Sequence, residues 1–289
     1  MPDQAAELRN VMTVDVEDYF HVAAFADRIP PQDWGRWPCR VEANVERILN
    51  LFDAHGVKAT FFTLGWVAER YPSVARRIVD NGHELASHGY GHQRVSEMSP
   101  AAFRQDIARA KGLLEDLTGV KVRGYRAPSF SIDQANLWAL DALAEAGHEY
   151  SSSIYPIAHD HYGMPDAPRF PYRPARCPEL LEVPPTTVKL AGRNLPAGGG
   201  GYFRLLPYAW SRWLMRQVNQ AERRPCMFYF HPWEVDPDQP RVAGAGAKSR
   251  FRHYVNLDRM EGKLRRLLTD FRWGRADEVY AEELQARHA

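Results

Sequence analysis

Short apolar runs alternate with longer stretches of three-to-four-residue apolar period through the first half of this chain. Residues 11–16, VMTVDV, read as a strand, and residues 40–56 place Val41, Val45, Ile48, Leu49 and Phe52 on one helical face that stops at Gly56. The alternation continues with a strand over 57–64, a helix over 71–82 and a strand over 83–88. Ser99 as N-cap and Pro100 at the first helical position open a helix to Gly119, because the first turn leaves unbonded the N–H that proline lacks. A strand over 121–128, a helix over 133–147 and the very apolar strand CMFYF (226–230) complete the pattern. Repeated strand-then-helix units predict a parallel sheet with active residues at the C-terminal strand ends. The second half is less regular. Residues 153–179 form a Pro-rich aromatic loop, AGGGGYF (197–203) reads as a tight glycine turn, and 231–251 is long and breaker-rich, as binding loops or lids commonly are.

Composition narrows the class. With 289 residues, 45% hydrophobic and 25% charged, the chain suits one large globular domain, or one with an extension, and not a disordered protein. A formal net charge of +1 with scattered basic residues gives no nucleic-acid footprint and favours a neutral or small substrate. No cationic and apolar leader and no long apolar run stand out, so the expectation is a cytoplasmic protein without an integral membrane segment. Cys39, Cys177 and Cys226 match no zinc spacing and read as reduced thiols, with Cys226 in the core.

The chemistry begins at TVDVEDYF, where Asp15, Glu17 and Asp18 crowd into four positions. Neighbouring carboxylates repel unless a cation sits among them. His88 and His92, in SHGYGH, are four residues apart; if the segment turns helically, both imidazoles share a face and can bind one divalent metal. Alone, such a pair is more often two ordinary surface histidines, but two neutral imidazoles with one carboxylate make a three-ligand catalytic site. Strand alternation points Asp15 and Glu17 to one side, one to bind metal and the other to act as base; Asp18 serves instead if the strand turns there. Arg126, after a strand, can orient a carboxylate and keep it ionised. His231 ends CMFYFH in a position to protonate a leaving group, although a lone histidine there is more often structural.

The order of these features resembles the polysaccharide deacetylases with the NodB-homology domain, carbohydrate esterase family 4. The matching stretches are Asp15 with Glu17 or Asp18, SHGYGH, RAPSF and FYFHP. Through GGGYFRLLPY, FHPWEVDPDQP and RFRHYVNL the chain is most similar to the subgroup associated with exopolysaccharide and exosortase gene clusters. The resemblance implies an α/β fold, a distorted (β/α) barrel of about seven parallel strands over 11–235, with 236–289 as a C-terminal extension packed on it.

It also implies roles. Asp15 is the base, Arg126 its partner and His231 the acid; Glu17 or Asp18 joins His88 and His92 around one divalent ion, zinc or else cobalt, nickel or iron. Pro128, Ser129 and Phe130 wall the groove, with a backbone N–H near Ser129 for the oxyanion, and Ile154 and Tyr155 line an acetyl pocket. Trp233, with Tyr162, Phe170, Tyr172 and Tyr254, can stack on sugar rings. The implied reaction removes N-acetyl groups from amino-sugar units of a glycan or its lipid-linked cytoplasmic precursor at the inner face of the membrane, with a metal-bound water as nucleophile. Two other readings stand beside it: an amidohydrolase that opens a small cyclic amide, and a barrel that only binds carbohydrate. The chain departs from the family pattern twice. TVDVED replaces the usual T-F-D-D, which favours Glu17 over Asp18 as ligand, and Ser151 stands where the fourth motif normally opens with an aspartate.

Overall fold

The innermost strand, β1 (Asn10–Val16), is buried at every position, as a strand covered on both faces must be. It pairs in parallel with β2 (Thr60–Thr63), which continues through β3 (Glu84–Ser87), β4 (Gly124–Tyr125), β5 (Tyr150–Ser151) and β6 (Leu181–Glu182). On its other side β1 pairs in parallel with β9 (Met227–Phe230). These seven parallel strands curl into a distorted half-barrel, with an antiparallel hairpin, β7 (Thr187–Leu190) and β8 (Arg193–Pro196), outside them. The gap between β6 and β9 is bridged where Thr186 Oγ1 accepts the Met227 N–H at 2.6 Å. The computed structural model describes residues 8–159 and 163–286; Tyr162 lies outside them.

The crossovers are helical: α1 (Val41–Asp53), α2 (Gly65–Arg70), α3 (Pro72–Asp80), α4 (Pro100–Thr118) and α5 (Trp138–Glu145). The predicted face of α1 is the buried one, and Ser99 caps α4 by accepting the Ala102 N–H while Gly119 ends it at φ 71°. Later in the chain come α6 (Gly200–Leu205), α7 (Tyr208–Arg216), α8 (Ala247–Tyr254) and α9 (Leu257–Asp270); α6 and α8 start in glycine-rich stretches, whereas α7 and α9 bury residues at helical period. The two-residue strand β10 (Trp273–Gly274) then pairs with the start of β1, so the C-terminal segment adds to the central sheet. Among the described residues, no helix is long and apolar enough to cross a membrane. Cys177 and Cys226 are buried free thiols, and Cys39 is a half-buried one.

The four-glycine run is not a turn. Gly199 is extended and bridges in parallel to Tyr229 of β9, the Gly198 carbonyl accepts the Tyr229 N–H at 2.7 Å, and Gly200 begins α6. A Cβ would collide with the Met227 carbonyl at Gly198, the Tyr229 ring at Gly199 and the Glu234 carboxylate at Gly200. Close approach, not turn geometry, requires glycine there.

Candidate active site and metal centre

At the C-terminal ends of β1, β3 and β9 a pocket of about 180 Å³ opens between Asp15, Glu17, His88, His92, Ser129 and His231. Glu17 follows the end of β1, where its N–H turns back to the Asp15 carbonyl at 3.0 Å. His88 follows β3, and His92 is brought round by a loop with Gly89 at φ 73° and His92 itself at φ 51°. The two histidines therefore share a face through left-handed turns rather than through the helical turn their spacing suggested.

Glu17, His88 and His92 each offer a ligand atom, all within 4.8 Å of one another. His88 Nδ1 lies 2.8 Å from the Arg126 carbonyl, which can only accept; Nδ1 therefore carries the proton and Nε2 keeps its lone pair. Burial pushes the His88 pKa down to about 4, so the imidazole is neutral. Glu17 Oε1 accepts the Trp233 indole N–H at 3.2 Å. Its Oε2 stands 2.6 Å from His92 Nε2, yet no hydrogen-bond donor among the described residues is aligned on it. Burial alone would raise the Glu17 pKa, but His92 and His231 outweigh it and hold the carboxyl well below the usual range. An ionised carboxylate with an orphaned buried oxygen beside two imidazoles fits a divalent cation.

Asp15 projects from β1 toward Arg126, whose Nη1 lies 2.5 Å from Asp15 Oδ1. Arg126 is completely buried, and each of its five N–H donors has a target: Thr13 Oγ1, Asp15 Oδ1, the Ser152 carbonyl and hydroxyl, and Met227 Sδ. Such full pairing offsets the cost of burying a guanidinium. Asp15 Oδ2 is left facing His231, 4.0 Å from its Nε2.

His231 follows β9 directly. Its Nδ1 lies 3.1 Å from Glu234 Oε2, while Glu234 Oε1 is held 2.7 Å from Arg204 Nε, both side chains nearly inaccessible. Burial would lower the His231 pKa, but Glu17, Glu234 and Asp15 together lift it to about 9. In turn Glu234 is held down at about 2, with Arg204 and His231 overcoming its burial.

Four expectations need correction. Asp18 faces away from the trio: Oδ2 accepts the N–H groups of Arg40 and Val41 at 2.5 and 2.9 Å and Oδ1 that of Tyr19 at 2.8 Å, so it anchors the start of α1. Ile154 points into the apolar cluster of Phe103, Ile107 and Leu140, because the chain leaving β5 turns that side chain under α5. Tyr155 and Pro128 are buried outside the pocket, Tyr155 packing behind Phe130 with ring centroids 5.2 Å apart. Trp233 lines the pocket by an edge only: His231 and His253 stack on it at 5.2 and 4.2 Å, both at 15°, leaving no ring face for a sugar.

Ser129 and Phe130 do line the pocket, at φ 56° and 49°. Phe170 and Tyr172 stand away from it; Phe170 borders another cleft, and Tyr172 bridges to Glu182. The Tyr254 hydroxyl binds the Val242 N–H and orders its own loop. Sequence reasoning missed Tyr229, Val22, Ala23 and Glu234. The signals were small: Tyr229 is the one polar ring in CMFYF, and Glu234 lies three residues after His231.

Residues 29–151 match the polysaccharide deacetylase family model. Over that stretch, less than half of its length, the chain is similar to the polysaccharide deacetylase family. Residues 152–281 match a second model, a domain of unknown function, DUF3473. The polysaccharide deacetylase region supplies His88, His92 and Arg126, whereas His231, Glu234 and Trp233 come from the second region. A peptidoglycan-N-acetylglucosamine deacetylase of Bacillus cereus is 33% identical over 96 residues, 33% of this chain and 35% of that protein. A peptidoglycan deacetylase of Helicobacter pylori is 30% identical over 124 residues, 43% and 41% of the two chains. The chain thus spans well under half the length of these curated relatives. In fold, a Mycobacterium smegmatis crystal structure described as a polysaccharide deacetylase aligns over 99% of this chain and 93% of its own, with TM-score 0.63 and 24% identity. PuuE allantoinase aligns over 97% and 91%, with TM-score 0.59 and 16% identity.

Proposed function

We propose that this chain is a metal-dependent hydrolase of the polysaccharide deacetylase family that removes N-acetyl groups from amino-sugar units of a glycan or its lipid-linked precursor, as a step of exopolysaccharide assembly. The observation that carries the reading is the pocket in which an orphaned Glu17 oxygen meets two histidines between a carboxylate, Asp15, and a charged histidine, His231. Relatives named for deacetylation of peptidoglycan and of chitooligosaccharides support it.

Held by Glu17, His88 and His92, a divalent ion would polarise the amide carbonyl and acidify a water; zinc suits this donor set, as do cobalt, nickel and iron. Asp15, fixed through Oδ1 by Arg126, takes the water proton on Oδ2. His231, oriented by Glu234 and held cationic, protonates the departing amine nitrogen. Opposed proton demands on the two groups are what acid–base partners require. At about 180 Å³ the pocket suits an acetamido group, with Phe130, Tyr229 and Trp233 limiting water around it.

Metal-stripped protein should release no acetate from N-acetylglucosamine oligomers or from acetylated lipid- and nucleotide-linked sugars, and added zinc or cobalt should restore release. Silence across that panel with metal bound would overturn the reading and favour cyclic-amide opening.

A further inference from the structure

A hollow shares a lining residue with the catalytic pocket, and a larger cleft shares one with the hollow. Tyr229 lines both the pocket and a hollow of about 410 Å³ formed with Tyr202, Leu205, Lys248, Phe251 and Arg252. Tyr202 in turn also lines the largest cleft described, about 1090 Å³, whose rim carries Lys189 and Arg193 on the β7–β8 hairpin. Tyr229, Tyr202 and the hairpin therefore mark a path of neighbouring concavities that leads away from the catalytic pocket and is built from the second half of the chain.

Two properties of this path set it apart. Tyr202, Leu205 and Phe251 are 44%, 43% and 60% exposed, three of the six large apolar side chains that stand out in solvent among the described residues. Exposed rings and apolar groups in a concavity beside a reactive centre suit the faces of sugar rings. The path is also cationic, although the whole chain carries only +1. Among the described residues, Lys189, Arg193 and Arg252 are exposed and have no acidic partner, and Asp166 is the one acid lining the large cleft, where Arg169 is already taken by Glu222 at 2.7 Å. Uncompensated charges of one sign along a concave path attract a partner of the other sign.

We propose that this path holds the flanking chain of an anionic glycan, a polymer in which carboxylated sugars accompany the N-acetylated unit being processed. The inference deepens the deacetylase reading and rests on it for the position of the acetylated unit. It replaces the neutral substrate that overall charge suggested. Cations spread from the hollow to the hairpin match charges repeated along a chain better than the single diphosphate of a lipid-linked sugar.

The test uses the full chain and two probes, a hexasaccharide alternating uronate with N-acetylhexosamine and a neutral N-acetylhexosamine hexamer. Calorimetry on metal-stripped protein should show tighter binding of the uronate hexamer, weakening as salt rises. The double variant Lys189→Ala/Arg193→Ala should lose about tenfold of that affinity and raise KM with kcat unchanged on the metal-loaded enzyme, leaving the neutral hexamer unaffected. Phe251→Ala should weaken both hexamers. Equal binding of the two probes, an equal effect of the double variant on both, or a preference for a diphosphate-linked monosaccharide over the uronate hexamer would overturn the proposal. Binding without acetate release would leave the groove standing and remove the deacetylase reading.

Discussion

Glu182 stands directly across from Ser151 in the β5–β6 register and reaches past the end of β5, its Oε1 accepting the Ser153 and Ile154 N–H groups, both at 2.7 Å. Ser153 Oγ in turn takes the Ala127 N–H at 2.9 Å, and Ser152 takes two donors of Arg126. A carboxylate from the next strand thus secures the segment around Ser151, where the family pattern has an aspartate.

Burial raises the Glu182 pKa to about 7 from an ordinary value near 4.5, against the pull of its N–H donors. Between those values the folded protein binds the extra proton, so this group's contribution to stability falls as pH rises through about 4.5 to 7, by roughly 3 kcal/mol in total. Glu182→Gln keeps the Oε1 acceptor and removes the titration. In metal-free protein, the melting temperature of Glu182→Gln minus that of the wild type should therefore increase from pH 5 to pH 8; a difference independent of pH would show that Glu182 does not titrate there.

Asp15→Asn should reduce kcat by at least about a hundredfold while metal content, measured by elemental analysis, stays at the wild-type level. His88→Ala should lose both metal and turnover. An active Asp15→Asn enzyme would remove Asp15 from the role of base.

Asp18 and Glu17 separate cleanly by experiment. Asp18→Ala removes the anchor of the first α1 turn and should cost about 1–3 kcal/mol of unfolding free energy with metal content unchanged. Glu17→Ala should instead abolish tight metal binding. Loss of metal in Asp18→Ala at full stability would reverse the assignment.

Trp233→Phe deletes the N–H that Glu17 Oε1 accepts. Metal affinity, read by competition with a chromophoric chelator, should fall about 10- to 100-fold. Oligosaccharide binding to metal-stripped protein should not change; weakened sugar binding at unaltered metal affinity would make Trp233 a sugar platform after all.

The alternating periods of the first half, with the Ser99 cap and the Gly119 stop, determined the parallel sheet and its crossover helices, because each depends on neighbours a few residues away. Local order along the chain also placed Asp15, Glu17, His88, Arg126 and His231 at strand ends. Which acid turns inward was not local: Asp18 is claimed by Arg40 and Val41, some twenty residues on. The glycine run looked like a turn until β9 and Glu234 came within reach of its Cα atoms, and Trp233 looked like a sugar platform until His253, twenty residues later, covered its second face. The Glu182 brace and the Glu234–Arg204 support of His231 were equally invisible. Periodicity and spacing record what a segment needs from its own turn or strand; partners from distant segments meet only when packing brings them together, and at this site those partners decide what each polar side chain does.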